Sequence, residues 1–69
     1  MQQVRRIDRT GDTAVAFAPG ETQEAEELFN ESRAQGYAAV GYKDGSGEVV
    51  HSFDPSCDEI VLRPPMVGG

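Results

Sequence analysis

The chain has 69 residues, 38% apolar and 26% charged, which is enough for one hydrophobic core, since a domain this short buries only about 60% of the surface its unfolded form exposes. Twelve acidic against six basic residues give a formal charge of -6, which repels a phosphate backbone, argues against a nucleic-acid partner and favours encounter with a basic protein surface. The one cysteine, Cys57, has no partner for an internal disulfide, no leader pattern opens the chain, and no apolar run approaches the ~20 residues of a membrane span. A soluble protein of the reducing cytoplasm, with no membrane partner, is therefore expected.

Gln2 to Arg9 carries Val4 and Ile7 among polar residues, Thr10-Gly11-Asp12 supplies turn chemistry, and Thr13 to Phe17 places Val15 and Phe17 on one face, so the opening segment reads as a β-hairpin. Val4 and Ile7 are three apart and cannot share a face of a regular strand, which makes the first strand the weaker signal. Pro19-Gly20 punctuates the chain. Thr22 is then placed to cap a helix whose first turns hold Glu24, Glu26 and Glu27, acids that the helix dipole favours there. Ala25, Leu28, Phe29 and Ser32 fall at i, i+3, i+4 and i+7 and form the stripe to be buried. Gly36 ends the helix as the left-handed residue past it.

Tyr37 to Lys43 alternates with Ala38, Val40 and Tyr42 on one face, Asp44 to Gly47 turns the chain, and Glu48 to Phe53 alternates with Val49, His51 and Phe53 together, which predicts a second hairpin. Asp54 to Asp58 is a loop, and Ile60-Val61-Leu62 is a short final strand. One helix with one apolar stripe and strands with one apolar face predict a two-layer α+β domain over residues 1-63, a mixed sheet of four to five strands with the helix packed across it. Pairing the first strand with the last would close the sheet around its centre.

After Arg63 come Pro64-Pro65-Met66-Val67-Gly68-Gly69. Two consecutive prolines remove two backbone donors, so a central strand cannot continue, and residues 64-69 are expected to leave the sheet as a flexible tail. A diglycine has no β-carbon near its acyl carbon and so threads a narrow channel. A carboxylate on Gly69 is unreactive until activated, as an acyl adenylate from ATP, and passed to a sulfur nucleophile.

The element order, the run Arg9-Thr10-Gly11-Asp12-Thr13, the Gly36-Tyr37 helix exit, Phe53-Asp54-Pro55, Ile60 and the tail Pro64-Pro65-Met66-Val67-Gly68-Gly69 together resemble bacterial ubiquitin-like proteins of the β-grasp superfamily, which includes modifiers and sulfur carriers. The resemblance covers the whole chain. It implies a β-grasp fold and adenylation of Gly69, behind Gly68, by an E1-like enzyme that uses ATP and Mg. A thioester and an amide bond to amines of protein targets would follow, with an E2-like enzyme and a JAB-type metallopeptidase as further partners. Arg63, Pro64, Pro65, Met66 and Val67 would contact the activating enzyme, and Lys43, the only lysine, would be the side-chain acceptor for chains. The tail departs from eukaryotic ubiquitin, whose diglycine has arginines close by. A sulfur carrier would instead turn Gly69 into a thiocarboxylate, and a noncovalent interaction module would use the domain surface alone.

Other residues carry less. Asp54, Asp58 and Glu59 disfavour a reactive thiolate at Cys57, and His51 with one cysteine makes no zinc site. Glu24, Glu26, Glu27 and Glu31 read as a solvated helix face. Arg5, Arg6 and Arg9 either meet an acidic partner or balance the helix charge. Gly45-Ser46-Gly47 lacks the helix and the Lys-Ser/Thr pair of a phosphate loop. Tyr37 or Tyr42 are candidates for an exposed recognition patch. No combination of nucleophile, base and pocket suggests an enzyme, and no bound cofactor or metal is expected.

Overall fold

The computed structural model describes residues 2–8 and 11–65. Strands β1 (Gln2–Asp8) and β2 (Gly11–Phe17) precede helix α1 (Gln23–Ala34), followed by β3 (Ala38–Lys43), β4 (Ser46–Val49) and β5 (Glu59–Arg63). They build one helix on one five-stranded sheet of order β2-β1-β5-β3-β4. The first and last strands pair in parallel at the centre, with Val4 opposite Ile60 and Arg6 opposite Leu62, and the remaining pairings are antiparallel.

The core forms where the helix stripe meets one sheet face. Ala25, Leu28, Phe29 and Ser32 are buried as the periodicity predicts, against Val4, Phe17, Ala39, Ile60 and Leu62. Phe53 brings its ring edge-on to Phe17 and Phe29, with centroids 5.3 and 6.0 Å apart, the arrangement that aromatic quadrupoles favour. Val4 faces the helix, while Ile7 is 36% exposed on the opposite face, as their odd spacing requires. In β5 both faces are covered: Ile60 and Leu62 are sealed by the helix, and Val61 is 7% exposed between Arg5 and Val40. The unbroken Ile-Val-Leu run is thus the signature of a central strand.

Several expected boundaries move. The first hairpin pairs Asp8 with Gly11, so β2 begins two residues before Thr13, and Arg9 and Thr10, expected in strand and turn, lie outside the described residues. Thr22 precedes the helix and its carbonyl accepts the Glu26 N–H at 2.8 Å, but its side chain makes no capping hydrogen bond. In β3, Ala38, Val40 and Tyr42 do share a face, and it is the one turned away from the helix. The register sets Ala39 against Leu62 and Gly41 against Ile60 on the helix side, where only small residues fit.

The second turn is the two residues Asp44 and Gly45, with φ of 52° and 81°, the positive pair of a tight hairpin. Ser46 and Gly47 therefore enter the ladder, and β4 ends at Val49 instead of reaching Phe53. The Val50 N–H still bonds the Ala39 carbonyl at 3.0 Å, after which the chain bends away to deliver Phe53 to the core. His51 is exposed outside any strand, so Val49, His51 and Phe53 form no common strand face.

Ser32 is fully buried and its hydroxyl has no hydrogen-bond partner. An unpaired buried hydroxyl costs about 1–3 kcal/mol, and alanine is also the better helix former. Ser32→Ala is accordingly expected to raise the urea midpoint by the equivalent of about 1 kcal/mol, and an unchanged or lower midpoint would show that the hydroxyl is satisfied.

Candidate functional site: where the chain leaves the sheet

At its end β5 pairs Arg63 with Ala38 of β3, and Pro64 and Pro65 then stop the ladder because they have no N–H to give. Arg63, Pro64 and Pro65 are all exposed. Pro65 stays on the domain beside the helix exit: a β-carbon added to Gly36 would lie 3.7 Å from the Pro65 Cβ and 3.8 Å from its Cγ. The expected tail residues Met66, Val67, Gly68 and Gly69 lie outside the described residues.

The surface on which Pro65 rests is built by the helix terminus. Gly36 has φ +93°, the left-handed conformation expected past a helix end. Its N–H bonds the Arg33 carbonyl and the Tyr37 N–H bonds the Ser32 carbonyl, both at 3.0 Å. That pair of bonds is a Schellman cap, which satisfies two carbonyls the helix would otherwise leave open. Arg33 reaches forward and donates from Nη1 to the Tyr37 carbonyl at 2.6 Å. From β1, the Arg6 guanidinium lies 6.0 Å from the centre of the Tyr37 ring, within the outer range of cation–π attraction. Arg6 also approaches Asp8 at 3.9 Å. Tyr37 is thus half-buried and engaged through both ring and backbone, whereas Tyr42 is 40% exposed on the open sheet face with Ile7 and Val49.

Sequence reading assigned Gly36 as a helix stop but did not connect it with Pro65, because that contact spans 29 positions and depends on the sheet order. The arginine in the last helical turn was the available signal for Arg33, since cations are favoured there. Lys43 is exposed at the far end of β3 from Ala38 and adjoins the Asp44-Gly45 turn. Its separation from the exit follows from β3 running the length of the sheet.

Cys57 is buried among core residues under Gly41. Burial pushes its thiol above the ordinary value of 9.0, and the negative charge of Asp54 adds to the shift. Asp54 is held below the usual carboxylate range because Ser56 donates to it from both its hydroxyl, at 2.6 Å, and its backbone N–H, at 2.9 Å. A buried thiol disfavoured as thiolate is poorly suited to nucleophilic work. Among the described residues no group of three or more His, Cys, Asp or Glu side chains is arranged to hold a metal, and no helix is long and apolar enough to cross a membrane.

Comparison with protein-family models, curated proteins and solved structures finds no match.

Two measurements test the Cys57 environment. A β-carbon on Gly41 would sit 2.6 Å from the Cys57 Sγ and 3.2 Å from Val50 Cγ1. Gly41→Ala should therefore cost about 1–3 kcal/mol of stability, and much less in a Cys57→Ala background. Additive losses in that double-mutant cycle would refute the contact. Because the folded thiol titrates above the unfolded one, its contribution to stability is fully present below pH 9.0 and is lost as the pH rises through the folded value. Denaturation followed across alkaline pH should show this decline in the parent and a shallower one in Cys57→Ala.

Proposed function

We propose that the chain is a ubiquitin-like β-grasp protein modifier that donates an acyl group through Gly68-Gly69. The observation that carries this reading is the position of β5. The last strand occupies the sheet centre, parallel to β1, and hands the chain to Pro64-Pro65 beside the helix exit. Met66-Val67-Gly68-Gly69 follows directly in the sequence. A rigid sheet thereby fixes the base of a short segment whose last residues carry no side chains.

In this reading an E1-like enzyme binds the domain and the segment Arg63 to Val67. The Gly69 carboxylate attacks the α-phosphate of ATP, held with Mg by that enzyme, and pyrophosphate leaves. An enzyme thiolate then attacks the acyl adenylate and displaces AMP, giving a thioester. A target amine attacks that thioester, loses a proton and releases the thiol, which leaves an amide. An E2-like enzyme can carry the thioester between these steps, and a JAB-type metallopeptidase can hydrolyse the amide. The exposed face bearing Ile7, Val40, Tyr42 and Val49 offers apolar area to such partners. Lys43 would accept the acyl group of a second copy in chain formation.

Intact mass spectrometry after incubation with ATP, Mg and a candidate activating enzyme tests the reading. The enzyme should gain the mass of one chain less one water, in an adduct that thiol reductant removes. Deletion of Gly68-Gly69 should abolish the adduct and leave the melting temperature unchanged. Replacement of one oxygen of the chain by sulfur in the presence of a sulfur donor would instead identify a sulfur carrier. Absence of both products across the activating enzymes encoded beside the gene would overturn the proposal.

A further inference from the structure

The free edge of β2 carries an inference that does not involve the tail. The Gln3 N–H points to the Asp58 carbonyl, toward β5. In β1, therefore, Gln2, Val4, Arg6 and Asp8 direct their peptide groups the other way, toward β2, because these directions alternate along a strand. Their partners are Phe17, Val15, Thr13 and Gly11. It follows that the peptide groups of Asp12, Ala14 and Ala16 face outward from the edge of the sheet. Among the described residues nothing pairs with them.

An edge of this length is usually guarded by a lysine, a proline, a bulge or brevity. The opposite edge, β4, is four residues long. In contrast, β2 is seven residues, Gly-Asp-Thr-Ala-Val-Ala-Phe, with neither lysine nor proline and an unbroken register against β1. Beside this edge, between β2 and the start of α1, runs an open groove of about 780 Å³. Ala16 and Gly20 form its floor on the strand side, Glu21, Glu24, Glu26 and Glu27 line the rest, and no basic side chain contributes.

We propose that β2 is a docking edge for an extended segment of another protein that carries lysine or arginine at alternate positions. The segment adds a sixth strand by bonding the peptide groups of Asp12, Ala14 and Ala16. The two-residue alternation of a strand sends every second side chain toward the helix side, where the glutamates receive positive charge, and the intervening ones over Ala14 and Ala16 on the open face. The backbone supplies the pairing and the charge selects the partner. The surface lies at the start of the helix, whereas the chain leaves the sheet beside the helix end, so occupation of one leaves the other accessible.

The test uses the full chain, without any activating enzyme, and a synthetic peptide alternating lysine and valine. Two controls accompany it, a peptide of the same composition with lysines and valines in separate blocks and one alternating glutamate with valine. Amide exchange followed by NMR should show Asp12, Ala14 and Ala16 slowed by the alternating basic peptide alone. Affinity should fall at least tenfold in Glu24→Lys/Glu27→Lys. It should fall as far in Ala14→Pro, which removes an outward N–H and leaves the β1 ladder intact. If Ala14→Pro does not fold, the charge-reversed variant decides, since both its positions are exposed on the helix. Equal binding of a control peptide, unchanged affinity in the charge-reversed variant, or perturbations confined to the open sheet face would overturn the proposal. So would protection of the same amides by self-association without peptide, or no binding at millimolar concentration.

Discussion

The parallel pairing of β1 with β5 is the constraint from which the rest of the architecture follows. It joins segments more than fifty residues apart and places both in the middle of the sheet, so that each must be covered on two sides. The helix covers one side over Val4, Ile60 and Leu62. On the other, Val61 is enclosed by Arg5 and Val40 with no second layer. Arg5 also approaches Glu59 at 3.7 Å, a half-exposed pair worth little by itself. The alkyl stem of the arginine is the part that shields Val61.

A core this small leaves little room for large side chains everywhere, and the molecule compensates by alternating bulk with its absence. Phe17, Phe29 and Phe53 fill the region between helix and hairpins, while Ala25, Ser32, Ala39 and Gly41 let backbones approach. The Gly41 position shows the economy: the missing β-carbon is the space that the Cys57 thiol occupies. Sulfur and glycine there are one packing solution, which explains a buried cysteine without reference to reactivity. The unpaired Ser32 hydroxyl is the exception, a polar group placed where the packing asked only for small volume.

How much of this could be read from the chain depends on the range of the interaction involved. The helix was legible because its stripe, its acids and Gly36 are local signals, and the central position of Ile60-Val61-Leu62 because burial on both faces leaves an unbroken apolar run. The face of β3 was not, since Val40 and Tyr42 look more apolar than Ala39 and Gly41. Only the register against β5 reveals that the space beneath the helix admits the smaller pair. The extent of β4 was misjudged because Gly45 and Gly47 both offer turn chemistry. The positive φ of Asp44 and Gly45 places the bend one step earlier than the composition suggests. At the candidate site, Pro64-Pro65 announced the end of the sheet, but the seat of Pro65 on Gly36 depends on tertiary contact and left no local trace.

The central place of β5 has a kinetic side. It is the last strand to be synthesised, yet the sheet has no middle until it arrives, so the N-terminal hairpin and the β3–β4 hairpin must wait as separate halves. Pairings of such sequence separation pay their loop-closure entropy before they are rewarded, which slows folding relative to a helical chain of the same length. During that wait the edge of β1 that β5 will fill is open. The growing chain therefore spends its most aggregation-exposed interval with its future centre unpaired.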